Sequence, residues 1–125
     1  MTIIVTENQV WMRQGDSGQI SLEDLPTDHT YLIYMSIYNE ETGRIVKEIS
    51  TVSNNVDGTA IFSFVPGTTD NVPVGDYVYG IKMCYEGEEH TLVPEVTIED
   101  GTVIEQPAPS FVIAEKIVEG PSDAD

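Results

Sequence analysis

Positive charge is scarce in this 125-residue sequence. It contains 22 Asp and Glu residues but only five Lys and Arg, which gives a formal net charge of −17 at pH 7. Proteins that bind nucleic acid neutralise phosphates with Lys and Arg, and anionic membranes attract clusters of the same residues. The composition therefore argues against nucleic acid and membranes as partners. A surplus of negative charge favours solubility first and a basic partner surface second.

Cysteine and long apolar runs are also lacking. Cys84 is the single cysteine, so no disulfide forms within the chain, and a free thiol favours a reducing compartment. No apolar run approaches the roughly 20 residues that cross a bilayer. The start, MTIIVTENQVW, lacks the basic residues and long apolar run of a secretory signal. We expect a protein that is made in the cytoplasm.

Recognisable catalytic and metal-binding motifs are absent as well. The sequence has no nucleophile elbow, phosphate-binding glycine loop or zinc-protease motif, and His29, His90 and Cys84 do not have metal-ligand spacing. Four oxygen-bearing residues raise the question of calcium: Asn55, Asp57, Asp70 and Asp76. Their spacing is not that of a dedicated calcium loop. We predict no enzyme activity, no cofactor and no metal site.

What the sequence does contain is a succession of short strand patterns. They occupy residues 2–6, 9–12, 18–22, 30–38, 44–50, 59–65, 76–85 and 90–98. Turn-forming residues such as Asn54, Asp57 and Gly58 separate them, and residues 66–75 are predicted as a loop. Short strands at intervals of about ten residues, without a convincing amphipathic helix, predict an all-β fold. The expected architecture is an antiparallel β-sandwich of about seven to eight strands.

Alternation assigns faces to several of these strands. The predicted core-facing residues are Tyr31, Ile33, Met35 and Ile37, then Ala60, Phe62 and Phe64, then Tyr77, Tyr79, Ile81 and Met83. Residues 30–38 are apolar on the other face too, which predicts a central strand covered on both sides. Ile45 and Ile49 are expected to share one face of strand 44–50.

The last quarter of the sequence has a different character. Pro107-Ala108-Pro109 is stiff and extended, so we divide the chain into a β-sandwich domain (1–106) and a C-terminal strand or arm with an acidic tail (107–125). The candidate interaction strand consists of Phe111, Val112, Ile113, Ile117 and Val118. Pairing within the chain is favoured, because most strands of small domains pair locally. The alternative is addition to the sheet edge of a neighbouring subunit.

Four aromatic residues are candidates for surface recognition: Trp11, Tyr34, Tyr38 and Tyr85. Such side chains stack on sugar rings or contact other proteins when they are exposed. Packing in the core is the favoured interpretation for most of them.

Three segments together resemble a known family. They are RQGDSGQISL (13–22), VKEIS (46–50) and VPVGDYVYGIKMCYEGEEHTLVPEVTI (72–98). Gly15-Asp16-Ser17 matches a Gly-Asp-Ser step into an early strand. Gly75, Tyr77, Tyr79 and Ile81 match a Gly-x-Tyr-x-Tyr-x-Ile strand, and Thr91 and Leu92 match the strand after it. The pattern is similar to the immunoglobulin-like (Ig-like) domain of bacteriophage virion proteins, as at the start of upper baseplate proteins.

The resemblance implies a non-enzymatic virion structural protein, assembled in the host cytoplasm. It would dock onto other virion proteins, either as a tail or baseplate adaptor or as a capsid decoration or head-fibre component on the major capsid protein. Homo-oligomers are a further expectation. The alternative function is a carbohydrate-binding β-sandwich module for attachment to the host surface.

Overall fold

The computed structural model describes residues 3–94 and 96–116, which form eleven β-strands and one short helix. The strands are β1 (Ile3–Thr6), β2 (Gln9–Arg13), β3 (Gly18–Leu22), β4 (Leu32–Tyr38), β5 (Ile45–Val52), β6 (Ala60–Phe64), β7 (Gly75–Tyr85), β8 (Glu88–Val93), β9 (Val96–Glu99), β10 (Thr102–Glu105) and β11 (Ser110–Ala114). Helix α1 (Pro66–Thr69) lies in the predicted loop. The all-β prediction is confirmed. The predicted strand 90–98 is divided between β8 and β9, at Pro94, whose missing N–H interrupts a strand ladder.

Seven strands form the main sheet in the order β1-β2-β11-β7-β4-β5, with β8 also paired to β7. Two smaller sheets consist of β3 with β6 and of β9 with β10. The main sheet is mixed because β11 runs parallel to β2, with Phe111 opposite Val10. The prediction of a purely antiparallel arrangement is therefore wrong for this pair. The other pairings of the described residues are antiparallel.

Strand β7 is the centre of the main sheet. One of its edges pairs with β4 along residues 78–84. Its other edge pairs first with β11, where Val78 lies opposite Ser110, and then with β8 from Ile81 onward. Because β7 is eleven residues long, it pairs with three neighbouring strands and connects the two halves of the main sheet.

The core lies between the inner face of the main sheet and the β3–β6 sheet. All of the predicted core-facing residues of β4, β6 and β7 are buried, and Val10, Met12, Phe111 and Ile113 join them from β2 and β11. Ile20 on β3 packs into the same cluster. Strand β3 lies near β1 and β6 near β5, so the small sheet lies across the inner face of the large one.

Two predicted face assignments on β4 and β5 are corrected. The second face of β4 is not covered: Leu32 is 38% exposed and Tyr34 and Tyr38 are half-buried. Ile45 and Ile49 do not share a face, since Ile49 lies opposite the buried Met35 whereas Ile45 lies opposite Tyr38. A register irregularity between Ile37 and Tyr38 separates them. One extra residue in a strand reverses the face of every side chain beyond it.

Short turns close three of the hairpins. Glu7-Asn8, Glu86-Gly87 and Asp100-Gly101 each link two strands through two residues, and all six residues have positive φ. Two central residues with positive φ suit the right-handed twist of paired strands, which is why Asn and Gly are favoured there. These turns set the registers of β1–β2, β7–β8 and β9–β10.

The Gly15 step between β2 and β3 is held by the segment around α1. The Gly15 N–H donates to Oγ1 of the fully buried Thr69 at 2.8 Å, and the Gln14 amide donates to the carbonyl of Val72 at 2.7 Å. Gly15 has φ +81°, a conformation that favours glycine. The step therefore has a structural role in joining the two sheets.

Candidate interaction surface

The main sheet has an outer face that none of the other described strands covers. It includes side chains that alternate with the core residues: Trp11 and Arg13 on β2, Tyr34, Ser36 and Tyr38 on β4, Gly80, Lys82 and Cys84 on β7, and Val112 on β11. Asp76 and the buried Val78 lie on the same side of β7. We call this set the outer face. Three of the four aromatic residues singled out from the sequence lie on it. Sequence reasoning favoured core packing for most of the four, but none of them belongs to the buried core.

Trp11 lies at one end of the outer face. It is opposite Ile4 on β1 and Val112 on β11, and the guanidinium of Arg13 lies 5.2 Å from the centre of its ring. Arg13 also donates to the carbonyl of Glu115 at 2.9 Å. A cation that is fixed over an aromatic ring restrains that ring. Trp11 and Ile4, which is 48% exposed, form an apolar surface of defined orientation.

A shallow groove lies at the other end of the outer face, beside Tyr38. It encloses about 320 Å³ and is lined by Ser36, Tyr38, Gly43, Ile45, Gly80, Ile81, Lys82, Thr91, Val93 and Pro94. Gly80 forms part of its floor, where a Cβ atom would stand 3.2 Å from the Val93 carbonyl oxygen. The absence of a side chain at this position therefore permits the close approach of the Val93 backbone. Lys82 at its rim faces Glu89 at 3.6 Å, an exposed pair that contributes little to stability.

Tyr85 belongs to a different site. It ends β7 on the core side of the sheet, and its ring is stacked on that of His29 with centroids 4.0 Å apart. A cavity of about 300 Å³ adjoins these rings, and it is lined by Asp28, His29, Tyr31, Tyr85, Glu86, Glu88 and His90. We call this set the aromatic pocket. The sequence showed no relation between His29 and His90, but the structure brings both to one pocket.

Hydrogen bonding orients the inner wall of the aromatic pocket. The Tyr31 hydroxyl donates to Oδ1 of Asp28 at 2.7 Å. This bond lowers the pKa of the Asp28 carboxyl and raises the pKa of the Tyr31 hydroxyl, because it stabilises the carboxylate and retains the phenol proton. The neighbouring His29 Nε2 lies 3.9 Å from the other oxygen of Asp28.

The candidate interaction strand is placed inside the sheet as far as it is described. Phe111 and Ile113 are buried in the core, while Val112 points to the outer face. Both edges of β11 are paired within the chain, to β2 and to β7. This strand therefore lies in one sheet with strands of the 1–106 segment. Ile117 and Val118 lie outside the described residues.

Two of the four residues considered for calcium, Asp57 and Asp70, make contacts within the chain. Asp57 accepts from the N–H and hydroxyl of Thr59, at 3.1 and 2.7 Å, and Asp70 pairs with Lys116 at 2.6 Å. Across residues 3–94 and 96–116, no three His, Cys, Asp or Glu side chains are grouped as metal ligands. Cys84 is a half-buried free thiol on the outer face. The same described stretch includes no helix of the length and apolar character needed to cross a bilayer.

The fold places this chain in the all-β class, with a mixed seven-stranded sheet and two smaller sheets. Comparisons with known protein families, with curated proteins and with solved structures found no match.

Proposed function

We propose that this protein is a non-enzymatic structural component of a bacteriophage virion, an Ig-like β-sandwich that docks onto other virion proteins through its outer face. The observation that carries the proposal is the half-exposed outer face itself, with Trp11, Tyr34 and Tyr38 on one rigid sheet. A sandwich needs to bury only the two inner faces of its sheets. Aromatic and Arg side chains on a remaining face are the residues that protein interfaces favour.

Two of the three segments that resemble phage Ig-like domains contain strands that contribute to the core. Residues 72–98 contain β7, β8 and the hairpin turn between them, and residues 13–22 contain the Gly15 step and β3. Both segments position the two sheets on each other. The resemblance and the packing thus support the same architecture, in which the inner face holds the domain together and the outer face is free to contact a neighbour.

The charges of the outer face bear on the kind of partner that it would contact. Arg13 and Lys82, two of the five basic residues, lie on the outer face. The same face carries acidic residues: Glu48, Asp76 and Glu89 lie opposite Ser36, Val112 and Cys84. Like charges between neighbouring copies of a chain with net charge −17 oppose association. A partner surface that carries basic groups is therefore favoured over a second copy of this chain.

Imaging of the protein on purified particles tests this proposal. Virions that carry Trp11→Ala together with Tyr38→Ala are compared with virions that carry the control Val56→Ala, because Val56 is 85% exposed in the turn before β6. We expect the double variant to be lost from the particle and the control to be retained at normal copy number. Binding of the wild-type protein to the particle is then measured at rising salt, where screening weakens contacts that depend on charge.

The proposal fails if the protein is absent from purified particles, or if the folded double variant is retained as well as the control. Such a result would leave the outer face without a role in docking. Retention that does not change with salt would indicate a purely apolar interface. Retention that weakens with salt would indicate an interface that also uses Arg13 and Lys82.

Carbohydrate binding is the second candidate function, and the half-buried Trp11 beside Arg13 favours it. Indole rings stack on sugars, and a neighbouring guanidinium supplies hydrogen-bond donors to hydroxyl groups. Glycan-array binding that disappears with Trp11→Ala supports this function. Absence of glycan binding by the wild-type protein rejects it without affecting the docking proposal.

A further inference from the structure

We propose that the aromatic pocket binds a basic side chain, with arginine preferred over lysine, from a partner polypeptide. The site is distinct from the outer face, so the inference does not depend on the proposed function. It follows from three properties of the pocket: packed rings, carboxylates beside them, and a cavity between these groups.

The rings are brought together by the register of the sheet. Leu32 pairs with Cys84 at the end of the β4–β7 ladder, so the next residues outward, Tyr31 and Tyr85, face each other. Their ring centroids are 5.7 Å apart, and His29 stacks on Tyr85 with an angle of 10° between the ring planes. These contacts form a continuous aromatic wall at the end of the sheet.

The backbone fixes this wall in place. The N–H of Tyr31 donates to Oγ of the buried Ser53 at 2.8 Å, and the N–H of Ser53 donates to the carbonyl of Tyr31 at 2.8 Å. Because the Tyr31 hydroxyl is also bonded to Asp28, hydrogen bonds hold this residue at its backbone and at the tip of its side chain. Because the wall is ordered before binding, association does not carry the entropic cost of ordering these side chains.

Carboxylates complete the site around the wall. Asp28, Glu86 and Glu88 line the cavity, and its described lining contains no Lys or Arg. An aromatic face attracts a cation, and carboxylates form charge-assisted hydrogen bonds with it. The carboxylates are not grouped with the histidines as metal ligands, which favours a larger organic cation over a metal ion.

Guanidinium fits this combination better than ammonium. It is planar, so one face stacks on a ring while its edge donates in parallel to a carboxylate. A cavity of about 300 Å³ that opens beside exposed Glu86 and Glu88 admits the end of an arginine side chain. The net charge of −17 raises the encounter rate with basic partners.

The test uses the full-length protein and a fluorescent twelve-residue peptide that contains four arginines, at physiological salt. Two further peptides carry lysine or citrulline in place of arginine, because citrulline keeps the shape and removes the charge. We expect the arginine peptide to bind more tightly than the lysine peptide and the citrulline peptide to lose at least about tenfold in affinity.

Three variants test whether the peptide binds at the aromatic pocket. Tyr85→Leu and Glu88→Gln should each weaken binding of the arginine peptide by about three- to tenfold. Glu41→Gln removes the same charge from the exposed turn between β4 and β5 and should change affinity less than about twofold. Nuclear magnetic resonance signals of the His29 and His90 rings should shift when the peptide is added to the wild-type protein.

The inference is overturned if the citrulline peptide binds as well as the arginine peptide, or if Glu41→Gln weakens binding as much as Glu88→Gln does. The first result would exclude recognition of the cation, and the second would reduce the effect to the overall charge of the protein. Thermal unfolding of each variant checks its fold. Glu88→Gln, at an exposed position, keeps the test valid if Tyr85→Leu does not fold.

Discussion

The hydroxyl of Tyr79 donates a hydrogen bond to the backbone carbonyl of Asn8, a residue 71 positions earlier in the chain. Tyr79 lies in the middle of β7 and is 4% exposed, and its ring packs edge-on against that of Phe111. Asn8 belongs to the tight turn between β1 and β2. This one side chain therefore joins the central strand, the C-terminal strand and the N-terminal hairpin.

Substitution of Tyr79 should separate its packing from its hydrogen bond. Tyr79→Ala is expected to lower the free energy of unfolding by about 3–5 kcal/mol, because it removes a buried ring. Tyr79→Phe keeps the ring and should cost about 1 kcal/mol for the lost hydrogen bond. Equilibrium denaturation measures both. A loss well below 1 kcal/mol for Tyr79→Ala would mean that the ring does not lie in the core.

Tyr79 should also make stability depend on high pH. Burial raises the pKa of this hydroxyl from 10.0 to about 12. Below pH 10 the phenol is protonated in both states and its contribution is fully present. Between pH 10 and 12 the unfolded chain loses the proton and the folded protein keeps it, so stability falls as pH rises.

Denaturation at a series of pH values from 9 to 12 measures this effect, with Tyr79→Phe as the control. The control should show a smaller loss of stability across the interval, because it has no proton to release at this position. Identical slopes for the two proteins would exclude Tyr79 as the source of the pH dependence.

Removal of the C-terminal strand should unfold the protein. Strand β11 lies between β2 and β7 in the main sheet, and its loss exposes two strand edges and removes the buried Phe111 and Ile113. A chain that ends after Gln106 is therefore expected to lose the cooperative unfolding transition. A chain that ends after Lys116 is the matched control and should keep it.

Circular dichroism and size-exclusion chromatography distinguish the outcomes of this truncation. A short chain that folds and is only altered in oligomer size would show that residues 107–125 act as an exchangeable arm. A short chain that is unfolded supports a strand that is integral to each molecule.

Two glycines with the same backbone conformation should respond differently to alanine. Gly58 and Gly43 have φ values of +72° and +73°. A Cβ atom on Gly58 would lie 2.5 Å from the Leu25 carbonyl oxygen, whereas a Cβ atom on Gly43 would meet nothing within 4 Å. Gly43→Ala should therefore cost about 1 kcal/mol for backbone strain alone.

Gly58→Ala should cost about 1–3 kcal/mol more than Gly43→Ala, because two backbone segments must move apart. Thermal and chemical denaturation of the two variants give this difference directly. The Leu25 N–H donates to the Gly58 carbonyl at 2.9 Å, so we expect the two segments to resist separation. Equal losses of stability for the two variants would show that the turn between β5 and β6 moves away from Leu25 at no energetic cost.

The strand patterns of the sequence predicted most of the sheet but not its connections. The alternation in β6, with Ala60, Phe62 and Phe64 inward, matches the burial observed. Periodicity could not reveal that β11 runs parallel to β2, since a local pattern contains no information about its partner. The same limit applies to Ile45, whose face depends on an irregularity in the pairing with Tyr38.

The candidate sites were predicted less completely than the strands. Sequence reasoning selected Trp11, Tyr34, Tyr38 and Tyr85 as one group, because all are large and amphipathic. The structure places the first three on the outer face and Tyr85 on His29. The signal in the sequence that separates Tyr85 from the other three is the alternation along its strand, since Tyr85 shares a strand face with the core residues Ile81 and Met83.

The sequence by itself determined the all-β class, the inward faces of β4, β6 and β7, and the tight turns at residues such as Glu86-Gly87. These features depend on neighbouring residues, because side chains alternate along a strand and turns need particular φ values. The tertiary structure alone decided the order of strands, the central position of β11 and the meeting of His29 with Tyr85. These depend on contacts between distant residues, which form only when the two sheets close on a shared core.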